Sequence, residues 1–171
     1  MQNPMIVKAE AAIDAKVSPT DKQAYDKIVL AGMKVLFSKE THKELFEGLE
    51  QAEDKMTMAV EGIIGLLGML FKESRNTMPL GPMILAGQSL LMEGLDFMEQ
   101  AGMIEVTPDV LAEVTQKYVE TLLPNIGLPA DKMQAALGQL QGVMNNPEQM
   151  AEYNQSTGSA PTAPPQPSMG G

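Results

Sequence analysis

VEGIIGLLGMLF, residues 60–71, holds a single charge, Glu61, and a glycine at every third position, Gly62, Gly65 and Gly68. Everything else in it is apolar. It runs into Lys72, Glu73, Ser74 and Arg75 well short of the roughly 20 apolar residues that a membrane-spanning helix needs. It therefore belongs in a protein core or at an interface. The residues before it decide how. Leu45, Leu49, Ala52, Met56, Ala59, Ile63, Leu67 and Leu70 follow one another by fours and threes, which is an apolar heptad. Glu47, Glu50, Glu53, Asp54 and Lys55 occupy the other faces of its first half. The spacing predicts one long helix from about Thr41 to Phe71 that begins charged and ends buried.

Glycine inside a helix costs about 1 kcal/mol relative to alanine, so three in two turns need an offset. Missing side chains let a second backbone approach closely, as at tight helix contacts; alternatively they make the segment pliable. Close packing is the reading adopted here. Gly62, Gly65 and Gly68, with Ile63, Leu67, Leu70 and Phe71, become the candidate interaction face, set either against the chain's own Met83–Ala101 helix or against a partner subunit.

Four other helices are expected around this one. SPTDKQAYDKIVLAGMKVLF (18–37) has Ser18 as cap, Pro19 at the first helical position, and a stripe of Tyr25, Ile28, Val29, Gly32 and Leu36. Leu30, Met33 and Phe37 widen the stripe and predict burial on two sides. After the Pro79, Gly81 and Pro82 turn, Met83–Ala101 carries Ile84, Gly87, Leu91, Leu95 and Met98 toward a neighbour, with Glu93, Asp96, Glu99 and Gln100 as a polar side and Gly102 as its terminator. EVTPDVLAEVTQKYVETLL (105–123) starts on Thr107 and Pro108, shows Val110, Val114, Tyr118 and Leu122, and stops at Pro124. GLPADKMQAALGQLQGVM (127–144) is the last, with Met133, Leu137, Leu140 and Met144 in line.

No alternating strand pattern is present. The expected fold is all-α: a bundle of about five amphipathic helices over residues 18–153, an N-terminal arm over 1–17 with at most a short helix near Glu10 to Lys16, and a Pro/Ser/Gly-rich tail over 154–171. The tail has no charge and too little apolar surface to fold alone.

Composition narrows the function classes. Twelve basic against 22 acidic residues give a net charge of −10, which repels phosphate backbones and argues against direct nucleic-acid binding. No cysteine is present, so disulfides and thiolate metal sites are excluded. Fifteen methionines suit adaptable packing surfaces. The start lacks the basic and long apolar regions of a secretory signal. His42 is the one histidine, and without clustered ligands it reads as a helix-start residue rather than a metal ligand. Glu50, Glu53 and Asp54 read as a solvated face. No phosphate-binding glycine loop and no nucleophile elbow occurs. Catalytic, cofactor and metal residues are accordingly expected to be absent, and the protein is expected not to be an enzyme.

SPTDKQAYDKIVLAGMKVLFSKETHKELFEGL (18–49), followed by TMPLGPMILAGQSLLMEGLDFMEQAG (77–102), resembles virion-associated minor structural proteins of podovirus-like tailed bacteriophages. The resemblance implies a virion component, internal, ejected or tail-attached, that contacts copies of itself and a larger particle protein of the portal, neck, tail or capsid. Two other readings stay open: a membrane-active helical protein that inserts residues 60–92, and a small acidic adaptor of the cytoplasm.

Overall fold

Six helices form along residues 2–125, the part of the chain that the computed structural model describes: α1 (Pro4–Asp14), α2 (Lys22–Leu36), α3 (Lys39–Gln51), α4 (Lys55–Glu73), α5 (Leu80–Gln100) and α6 (Pro108–Asn125). No strand occurs among the described residues. The protein is an all-α helical bundle. The helix expected over 127–144 and the tail over 154–171 lie outside the described residues.

Helix α5 is the centre, because its apolar and small residues run nearly all round its circumference. Thirteen of its residues are buried, and α1, α2 and α4 pack against it. A helix hydrophobic on most sides is stable only when other helices surround it. Helix α6 packs on α4 and reaches α5 through Tyr118, whose hydroxyl donates to the Ile84 carbonyl at 3.0 Å. The tyrosine is fully buried, and burial raises its pKa well above the usual phenol range.

The helix ends follow local chemistry. Thr107 Oγ1 accepts from the Val110 amide, and Pro108 opens α6 as expected. Gly102, at φ +70°, closes α5, with the Met103 amide donating to the Met98 carbonyl in a Schellman arrangement. Pro124 does not stop α6, whose helical geometry continues to Asn125. Ser18 caps a turn rather than α2 itself: its hydroxyl accepts from the Asp21 amide, and regular helix begins at Lys22. At the far end of α4, Arg75 and Asn76 both take left-handed conformations, and the Asn76 amide donates to the Phe71 carbonyl.

Further expectations are corrected. The long helix over 41–71 is two helices. The chain is extended at Ala52 and Asp54, and the Asp54 carboxylate accepts from the Thr57 amide at 3.0 Å and from its hydroxyl at 2.6 Å. A side chain that takes a backbone amide in this way starts a new helix, although the apolar heptad runs across the break. Likewise Ser38, not Thr41, caps α3. The N-terminal arm is corrected too: Pro4–Asp14 is a helix docked on α5, with Ile6 wholly buried and Ile13 nearly so. Finally, α2 is not buried on two sides; Tyr25, Ile28 and Gly32 face the core, while Leu30 is 57% exposed and Phe37 43%.

Candidate functional site

Of the residues expected to form the interaction face, Ile63, Leu67, Leu70, Ile84, Gly87, Leu91, Leu95 and Met98 lie in the core, and Phe71 is half-buried. The glycines separate into two kinds. A Cβ at Gly87 would stand 1.9 Å from the Tyr118 hydroxyl and 2.5 Å from Leu67 Cδ1, and one at Gly32 would stand 2.4 Å from Leu90 Cδ1. These two glycines make room for neighbours inside the fold. Gly65 and Gly68 do not: they are exposed, and among the described residues nothing comes within 4 Å of where their Cβ atoms would be. Gly62 has only an ordinary contact with Leu45 at 3.8 Å. Of the two settings expected for the α4 glycines, the chain's own α5 or a partner subunit, α5 is not the neighbour of Gly65 and Gly68. Helix α5 lies against Ile63, Leu67 and their neighbours, on another side of α4.

Next to Gly65 and Gly68 runs a groove of about 770 Å³. Its walls are Ile64, Leu67 and Phe71 of α4, Met83 of α5 and Leu122 of α6, and Met69, Lys72, Asn76 and Asn125 form its rim. Met69 is 41% exposed. Among the described residues, Lys72 is the one ionisable side chain lining it. Such a surface can bury apolar side chains; the described residues that line it bring together no nucleophile, base and oxyanion donor.

A second, smaller space of about 50 Å³ lies beneath α3, between Leu45, Leu49, Ile63, Leu91 and Met98, and is almost wholly apolar. His42 borders it. Its ring meets Phe97 edge-on at 4.8 Å, and Phe37 and Phe46 stand about Phe97 at 6.2 and 6.1 Å. His42 is thus part of an aromatic cluster that pins α3 to α5, which its neighbours in sequence did not suggest. Among the described residues, no group of histidine and acidic side chains could hold a metal ion.

The polar side expected for α5 is not a solvated face. Asp96 is buried, and its Oδ1 accepts from the Asn3 amide at 3.1 Å. The Asn3 side-chain amide donates to Glu99 at 2.9 Å, and Glu99 also accepts from the Val106 amide at 2.9 Å. Asn3 itself caps α1 by accepting from the Met5 amide at 2.9 Å. Acidic groups at the N-terminus of α1 complement its helix dipole. One turn and more along α1, Glu10 approaches Glu93. Burial, the nearby Glu93 charge and a hydrogen bond between the two carboxyls push Glu10 up to about 7. The signal for this docked helix stood in the sequence: Asn3-Pro4 is the same cap-then-proline pair as Thr107-Pro108, followed by isoleucines one heptad apart.

No family model, curated protein or solved structure matches the chain. Among the described residues, no helix is long and apolar enough to cross a membrane.

Proposed function

We propose that this protein is a non-enzymatic structural or assembly protein whose α4 face receives a helix from another copy of the chain or from a larger particle protein. One observation carries the reading. Gly65 and Gly68 open an apolar helix toward the outside, beside a groove walled by Ile64, Leu67, Phe71, Met83 and Leu122. Glycines inside a helix cost stability, and those at Gly87 and Gly32 are each matched by a close neighbour. A helix seated on Gly65 and Gly68 supplies the missing match by allowing close backbone approach. Exposed Met69 on the rim adds an adaptable contact. The charge of −10 favours protein over nucleic acid as the partner. Together with the resemblance described above, these features support the reading of a tailed-phage particle component, present in the virion and without a cofactor.

Gly65→Leu tests the reading. A leucine there meets nothing among the described residues, so the variant should fold with unchanged helicity. It should nevertheless lose self-association in sedimentation, or fail to enter purified particles. Normal assembly of the folded variant overturns the proposal. Stronger binding of that variant to lipid vesicles, with assembly intact, points instead to a membrane-active protein.

A further inference from the structure

We propose that the helix received by the α4 face is α4 of a second copy of the chain, running antiparallel about a two-fold axis between Gly65 and Gly68. The proposal rests on the reading of that face as an interface, and it names the partner. The outer side of α4 carries the argument. Glu61, Gly65, Gly68 and Lys72 are all exposed and follow one another by four, three and four, the spacing that keeps residues on one side of a helix. From either end the stripe therefore has the same shape, bare backbone in the middle and one charged side chain at the limit. Only the sign of the charge differs.

That difference selects the partner and its direction. An antiparallel copy sets Gly65 opposite Gly68 of the second copy, and it sets Glu61 opposite Lys72 of the second copy at both ends at once. The two charged ends stand about 16 Å apart at the rise of an α-helix. A parallel copy in register would set Glu61 on Glu61 and Lys72 on Lys72, and like charges repel. Neither side chain is engaged within the fold: among the described residues, Glu61 and Lys72 form no ion pair and no side-chain hydrogen bond.

The flanks of the stripe agree with the same axis. Ile64 and Phe71 are walls of the groove, and Met69 stands on its rim. By helical spacing, the two-fold brings Phe71 of each copy alongside Ile64 of the other, and Met69 alongside Gly62 of the other. Apolar surface is then buried on both sides of the glycine seam. The net charge of −10 makes two copies repel at long range. Along this stripe the repulsion is least, because Glu61 and Lys72 cancel. Such an interface uses one patch on both partners, so it closes at two copies.

Charge exchange and cross-linking on the full chain test the pairing. Sedimentation equilibrium should show a dimer. Glu61→Lys and Lys72→Glu each set like charges at both ends, and each should weaken dimerisation by about tenfold or more. Both substitutions in one chain put opposite charges back and should restore most of the affinity. Circular dichroism should be unchanged throughout, since both side chains are exposed and tied to nothing among the described residues. The chain has no cysteine, so thiols can be placed singly. A mixture of Glu61→Cys chains and Lys72→Cys chains under mild oxidation should give the mixed disulfide well above either disulfide between like chains. A parent that stays monomeric overturns the proposal. So does an excess of disulfides between like chains, or a double variant that associates no better than the single ones. Gly65→Leu judges the face separately. If the parent is monomeric yet Gly65→Leu fails to enter particles, the face stands as an interface for another protein and only the second copy is rejected.

Discussion

Helices α4 and α5 are both apolar, both rich in methionine and glycine, and similar in length, yet Gly87 of α5 and Gly65 and Gly68 of α4 sit in opposite settings, while a Cβ at Gly81 or Gly94 of α5 would meet as little among the described residues as one at the α4 pair. In α5, Gly87 lies under the Tyr118 ring, whose hydroxyl sits where a Cβ would be. In the second half of α4, Gly65 and Gly68 face outward with no neighbour among the described residues. Glycine spacing marks where a backbone is left bare, but not whether the fold itself covers it. In α5 the cover is a side chain from α6, distant in sequence; in α4 we assign it to another molecule.

The sharpest way to break the contrast is to fill both kinds of glycine. Gly87→Leu should abolish the folded state, seen as loss of cooperative urea unfolding, because the new side chain has no space beside Tyr118 and Leu67. The milder Gly87→Ala should cost about 1–3 kcal/mol, as overpacking does, despite alanine's better helix propensity. Next in size, Leu91→Ala in the closed middle of α5 should cost about 2–5 kcal/mol, whereas Met69→Ala on the open rim of α4 should stay within about 0.5 kcal/mol. Comparable losses for those two would mean that the α4 rim is covered.

A third test sharpens the cause at Gly87. Tyr118→Phe removes the hydroxyl that donates to Ile84 and should cost about 1 kcal/mol. In the Gly87→Ala background it should cost less, because the hydroxyl is also the atom the new methyl strikes first. A double-mutant cycle with no coupling would place the conflict on Leu67 instead. The smallest effect belongs to Gly65→Leu. Its unfolding free energy should stay the same or rise by a few tenths of a kcal/mol through helix propensity, with the loss confined to assembly.

Much of the bundle was legible from caps and stripes. Thr107 with Pro108 and Gly102 marked helix ends correctly, since each acts through its immediate neighbours. The α3–α4 break was missed because the heptad reports which residues face the core, not whether the backbone between them is continuous; Asp54 capping Thr57 is the local event that interrupts it. The first helix was expected too late, near Glu10 to Lys16, because its stripe is short and the polar groups that fix its start, Asp96 and Glu99, lie some ninety positions away. The same distance hid the role of α5's acidic side. On a helical wheel Asp96 looks solvated, and only the docking of Asn3 makes it a buried acceptor.

The sealed Tyr118 phenol also gives the protein an optical signature. Without tryptophan, near-ultraviolet absorption rests on three tyrosines, and two of them, Tyr25 and Tyr118, are buried. Tyr25 is bonded to Ser89 at 2.7 Å, and burial raises its pKa as well. Their ionisation at 295 nm should therefore appear together with loss of helicity during an alkaline titration, as a single cooperative step. The spectrum thus reads directly whether α2 and α6 still close over α5, with no label attached to the chain.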